Sequence, residues 1–143
     1  MSPAVWQFII LGVIGIAGEV FFTAIKDFAK TRHPRLHGFS FVWMFPLYGL
    51  LSILFPIVSP WVADFSWPVR GSVYMMVIYL VEFIAGSILT AIIGSHVWNY
   101  SHHRFNLRGQ ISLWYAPVWF FVGLIVERCY PWLIKASLAL AHL

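Results

Sequence analysis

Four runs of apolar residues, each long enough to cross a lipid bilayer, leave this chain little freedom in what it folds into. They cover residues 5–25, 39–62, 71–96 and 110–133. About 20 predominantly apolar residues in helical form span the ~30 Å hydrocarbon core. Inside that core no water pairs with backbone N–H and C=O groups, so each run has to close its own hydrogen bonds as a helix. The expectation is an all-α, polytopic membrane protein: a four-helix transmembrane bundle forming a single transmembrane domain over residues 1–143. Charged residues make up only 10% of the chain, against about 25% in soluble domains. No stretch is left over for a soluble domain.

The few charges are unevenly placed. Six of the nine Lys and Arg residues lie in the connections after the first and third runs: Lys26, Lys30, Arg32, Arg35, Arg104 and Arg108. Short loops rich in Lys and Arg stay in the cytoplasm, so both basic connections are expected there, with both termini outside. Arg70, Arg128 and Lys135 fall on or near the other side. No Lys or Arg precedes Lys26. A cleavable signal peptide carries a positive n-region, so the first run is expected to be a retained helix. The net charge of +4 sits mainly in the two loops and suits the head groups of anionic membrane lipids. Basic and aromatic residues do not alternate in the manner of a base-stacking groove, and no nucleic-acid partner is expected. The single Cys129 excludes an intrachain disulfide and a cysteine metal cluster.

An internal repeat is visible in outline. Sliding the chain by 71 residues aligns Gly38, Trp43 and Pro46 with Gly109, Trp114 and Pro117. The same shift pairs Pro60-Trp61 with Pro131-Trp132, and Gly15 with Gly86. Two tandem helical hairpins pointing the same way would produce this pattern, as in transporters built from parallel repeats. Overall identity at this shift is barely above what so biased a composition yields by chance; the matched Gly, Trp and Pro carry the suggestion.

Three of the five acidic residues stand inside apolar runs: Glu19, Glu82 and Glu127. A carboxylate at membrane depth is costly and faces a bundle interior, a cavity or a partner. Gly15, Glu19 and Thr23 recur every four residues and share one face of the first helix. A glycine there admits a neighbouring helix, and a threonine bonds across the contact. Glu82, Gly86 and Thr90 repeat the spacing on the third helix. If those faces meet, two carboxylates share one interior and cannot both stay ionised. That geometry suits a proton, a cation or a substrate amine. The plainer reading is a pair of neutral or hydrogen-bonded carboxyls that fasten helices. Glu127, next to Arg128, is expected to snorkel at the outer interface.

The third connection holds the most unusual composition. Trp98, Tyr100 and Tyr115 fit an interfacial aromatic belt, and Asn106 and Gly109 suit a tight turn. Asn106 and Gln110 gathered among these aromatics give a sharper reading, a pocket for a polar head group or a phosphate. His33, His37, His96, His102 and His103 lie near the same face. No H-E-x-x-H helix motif is present, Pro34 breaks the spacing of His33 and His37, and only His96 approaches the depth a haem would need. No metal site and no cofactor is expected. A G-x-x-x-x-G-K-[ST] phosphate loop and a G-x-S-x-G nucleophile elbow are both absent from the sequence.

Several of these residues form a familiar pattern. Gly15-x3-Glu19-x3-Thr23, Trp43-x4-Tyr48-Gly49, Glu82-x3-Gly86 and Trp98-Asn99-Tyr100-Ser101-x4-Asn106-x2-Gly109-x-Ile111-x-Leu113-x-Tyr115-x3-Trp119 together resemble one family. It is the bacterial group labelled "putative ABC-transporter type IV permeases", which includes the vertebrate transmembrane protein 229 group. The resemblance runs from about Gly15 to Glu127, and the string from Trp98 to Trp119 is its most specific part. Asn99 stands where many members have Asp, so no carboxylate role carries over to that position. The resemblance implies a small helical membrane protein and a transport component, without a known substrate.

The first functional reading is therefore a transport or transport-accessory protein with a carboxylate-lined interior. Glu19, Thr23 and Glu82 would take up a proton, a cation or an amine, and residues 98–119 would form a cytoplasmic gate or head-group site. Four helices are too few to enclose a pathway. A homo-oligomer or a place in a larger membrane complex is expected, with Gly12, Gly15, Gly86 and Gly94 as close-packing faces and any ATPase a separate chain. Two alternatives stay open. One is a membrane enzyme acting on a lipid through Glu19, His37, His102, His103, Asn106 and Gln110. The other is a structural assembly factor.

Overall fold

The computed structural model describes residues 1–142. Four long helices follow in order: α1 (Pro3–Thr31), α2 (Met44–Val62), α3 (Trp67–Ile93) and α4 (Ala116–Ala141). Between α3 and α4 lie two short antiparallel strands, β1 (Asn106–Leu107) and β2 (Ile111–Ser112), and a 3-10 turn (Leu113–Tyr115). All four helices are long and apolar enough to cross a membrane. At ~1.5 Å per residue, the shortest, α2, reaches about 28 Å and α1 about 43 Å. The protein is an all-α, multi-pass integral membrane protein.

Local chemistry explains the helix ends. Ser2 caps α1 by accepting from the Val5 N–H, with Pro3 preset for the first turn. Arg32 closes α1 from the left-handed region (φ 56°), its N–H donating to the Phe28 carbonyl at 2.8 Å. Gly94 ends α3 in the same way (φ 78°). Pro68 lies in the first turn of α3, which starts at Trp67 rather than at residue 71. The helix α2 runs through Pro56 and Pro60, and α4 through Pro131 to Ala141, well past residue 133. Each proline removes one helical hydrogen bond. Unwinding in hydrocarbon would strand several more backbone groups, so the helix continues. The polar connection expected to be a loop holds the β hairpin instead.

Two compact units divide the chain, one of Met1–Leu54 with Trp132–Leu143, the other of Phe55–Pro131. In the first, α1 approaches the start of α2 closely. The Phe45 ring covers Gly12, the Tyr48 ring covers Gly15, and the Phe8 ring covers Gly49. Phe8 and Phe45 meet edge to face at 5.9 Å. Gln7 donates to the Ser137 hydroxyl at 3.1 Å, tying α1 to the tail of α4.

The second unit is built around Phe55, Val62 and Tyr74, with Val58, Val73, Leu124, Val126 and Tyr130 packed against them. The Phe55 ring lies 4.6 Å from Tyr130 and 5.3 Å from Tyr74. Phe120 covers Gly71, and Tyr74 covers Gly123. At one end Arg70 Nε sits 3.0 Å from Glu127 Oε1, and the Tyr74 hydroxyl donates to the same oxygen at 3.1 Å. Glu127 is thus held by α3.

Three of the four glycines expected as close-packing faces are covered within the chain. Side chains of the same chain fill the space over Gly12, Gly15 and Gly86, and Gly94 is a left-handed cap with nothing packed on it.

Candidate functional site

Glu19 sits half-buried on α1 in the first unit. Ser40 Oγ donates to its Oε2 at 2.8 Å, and the Tyr48 hydroxyl donates to the same oxygen at 3.1 Å. Gly15, one turn earlier, makes this possible, because only a glycine lets the Tyr48 ring lie flat enough on α1 to reach Glu19. One turn later Thr23 Oγ1 accepts the Phe39 N–H at 2.9 Å. Its own proton can go to the carbonyl of Glu19 (2.9 Å), Val20 (3.0 Å) or Phe39 (2.9 Å). Gly38 lies against the Val20 carbonyl. The face Gly15–Glu19–Thr23 is therefore covered by residues 38–40 and Tyr48, a short extended segment laid along the helix.

Glu82 belongs to the second unit, on α3, and is only 4% exposed. Tyr79 and Gly86 share its helix face at three and four residues' distance. Both neighbours meet the connection between α3 and α4. The Tyr79 hydroxyl donates to the Ser112 carbonyl at 2.8 Å, and the Gln110 side chain and Trp98 ring lie over Gly86. Glu82 lies between Tyr79 and Gly86 on the same helix face.

The cover is a closed piece of structure. Trp98 Nε1 donates to the Gln110 carbonyl at 3.0 Å, and Gln110 Oε1 accepts from Ser87 Oγ at 2.9 Å. Arg108 (φ 52°) and Gly109 (φ 69°) make the turn, with the Gln110 N–H donating to the Leu107 carbonyl at 3.0 Å. Asn106 locks it: Oδ1 accepts the Gly109 N–H at 2.9 Å and Nδ2 donates to the His103 carbonyl at 2.7 Å. Tyr100 stacks on His103 with ring centroids 5.6 Å apart, and Tyr115 tilts against both at 5.2 and 5.8 Å.

His103 Nδ1 lies 2.6 Å from Ser112 Oγ. That distance would suit a nucleophile and its base, but Ser112 is 0% exposed and its Oγ also accepts the Trp114 N–H at 3.3 Å. The pair is a clasp that holds the hairpin shut.

Among the residues singled out in the sequence, the structure gathers Glu82, Trp98, Tyr100, Asn106, Gln110, Tyr115 and His103 in the second unit. Glu19 and Thr23 belong to the first, as does His37, which is exposed with its ring 6.5 Å from that of Phe39. His102 is exposed, its ring edge-on to His103 at 4.3 Å. Glu127 pairs with Arg70. Among the described residues, no three His, Cys, Asp or Glu side chains are grouped to hold a metal ion.

Sequence reasoning missed Ser40, Tyr79, Ser87 and Ser112. Tyr79 stands three residues before Glu82, and the helical period alone would have found it. Ser40, Ser87 and Ser112 carry no local signal.

A family model described as "Putative ABC-transporter type IV" matches residues 6–142. The chain belongs to this family. No solved structure matches it. The matched region takes in Glu19 with its partners, Glu82 and the whole hairpin, so both carboxylates lie inside the family's common extent. The description names a transporter type and no substrate.

Proposed function

We propose that this family member is a transport or transport-accessory component in which Glu82 binds a proton or a cation and the hairpin bonded to its helix acts as the gate. The observation that carries the reading is the burial of an acidic side chain, on a helix fit to span the membrane, between residues of α3 to which the hairpin is bonded at Tyr79 and Ser87. Membrane-depth carboxyls are rare and mark ion or proton pathways. Trp98, Tyr100, Asn106, Gln110 and Tyr115 form the gate, which opens by releasing β2 from α3. Glu19, with Thr23, Ser40 and Tyr48, is a second carboxyl able to take up a proton or an amine.

In this reading the basic connections face the cytoplasm, both termini lie outside, and the pathway is completed by further copies or by a larger membrane complex. Any ATPase is a separate chain, and no cofactor takes part. The lipid-enzyme alternative has less support, because Asn106, Gln110 and His103 of its pocket are engaged in holding the hairpin together.

Purified protein in liposomes tests the proposal through proton-coupled and monovalent-cation flux. Glu82→Gln, which keeps size and polarity, is expected to abolish flux at unchanged helicity and thermal stability, and Glu19→Gln to reduce it. Full flux in Glu82→Gln would overturn the reading.

A further inference from the structure

The hairpin has two unlike sides. Its inner residues Gln110, Ile111 and Ser112 are buried on α3, whereas Phe105, Leu107, Leu113 and Trp114 face outward, Trp114 at 69% exposure. Arg104 and Arg108 are exposed among these apolar side chains. The Arg104 guanidinium lies over the Phe105 ring, 5.4 Å from its centroid. With no acidic residue in the whole connection, this side is apolar and cationic at once.

Arg108 adds an independent pointer. It occupies a left-handed turn position, φ 52°, where Gly, Asn or Asp is the usual residue because a Cβ is strained there. An arginine at such a place carries a backbone cost that a glycine would not. Arg32 makes the same choice at the end of α1 (φ 56°), where Gly is the usual cap.

Position names the occupant. The connection is short and joins two membrane-spanning helices, so its outward side meets the boundary between acyl chains and head groups. Exposed Phe, Leu and Trp suit that boundary, and arginine stems lie along it with the charge at the phosphate level. We propose that this side of the hairpin is a binding site for anionic phospholipid, with Arg104 and Arg108 on the head-group phosphate and Phe105, Leu107, Leu113 and Trp114 among the upper acyl chains. The site stands whether or not the chain transports anything. Because β1 and β2 form one hairpin, lipid held outside steadies its bonds to α3 inside.

The test is titration of the detergent-solubilised full chain with phosphatidylglycerol and, separately, phosphatidylcholine, with bound lipid counted by native mass spectrometry. Each arginine near a lipid surface is worth about fivefold in affinity. Arg104→Gln and Arg108→Gly are each expected to weaken the tightest phosphatidylglycerol step about fivefold and to leave phosphatidylcholine binding unchanged. Arg108→Gly should at the same time raise the melting temperature, because glycine relieves the left-handed turn. Lipid loss with gained stability cannot come from unfolding. If Arg108→Gly fails to fold, Arg104→Gln decides, since its residue lies outside the left-handed region. Unchanged phosphatidylglycerol affinity in the folded variants, or equal loss for both lipids, overturns the proposal.

Discussion

The Tyr48 hydroxyl donates to Glu19 at 3.1 Å, and its ring gets there by lying over Gly15 one helical turn earlier. The relationship separates two contributions. Tyr48→Phe removes one hydrogen bond and is expected to cost about 1 kcal/mol. Gly15→Ala places a Cβ inside the Tyr48 ring and is expected to cost about 1–3 kcal/mol, since α1 and α2 have to move apart. Thermal unfolding in detergent ranks the two, and the reverse order would mean that the carboxyl rather than the close approach holds this helix pair.

The Arg70–Glu127 pair is 26% exposed on each side, so solvent screens it. Glu127→Gln should cost less than about 1 kcal/mol, since the amide oxygen still accepts from Tyr74. The wild-type chain should lose a little stability between low and high salt, and Glu127→Gln should not. Unfolding temperatures at two ionic strengths decide the matter; identical salt dependence would show the pair to be inert.

Ser112 holds His103 and caps the 3-10 turn from a fully buried position. Ser112→Ala removes the acceptor of the Trp114 N–H and one contact of His103 and is expected to cost about 1–2 kcal/mol. The loss should be local, appearing as faster amide exchange over residues 98–115 while the Phe55–Tyr74 core stays protected. Uniform deprotection of the second unit would instead make the hairpin part of its core.

Gly86 lies under Trp98 and Gln110, where an added Cβ would stand 3.1 and 3.2 Å from their atoms. Alanine requires a shift of only a few tenths of an ångström and should cost less than about 1 kcal/mol. Valine should cost about 1–3 kcal/mol and lift the cover. Trp98 would then lose its bond to the Gln110 carbonyl, and a red shift in tryptophan emission in Gly86→Val, absent in Gly86→Ala, is the sign to look for.

Much of this was legible in the chain. Hydropathy is a local quantity, so the four membrane helices could be read from residue order, together with the uneven placement of Lys and Arg. The family resemblance, carried by the string from Trp98 to Trp119, also needed no coordinates. So did the turn at Asn106 and Gly109, because turn chemistry is set by adjacent residues. The helix ends were less legible wherever proline intervened. Rules learned in water stop a helix at Pro131, and a bilayer, which offers no partner to an unwound backbone, does not.

What the carboxyls touch was decided only by the tertiary structure. Glu19 bonds to residues 21 and 29 positions away, and Glu127 to one 57 positions away. No periodicity extends that far. Residue order could say that Glu19, Glu82 and Glu127 each need a partner, because burying an unsatisfied charge is costly in any fold. Which hydroxyl or guanidinium answers that need depends on how helices and hairpin come to rest against one another, and packing is a property of the assembled chain.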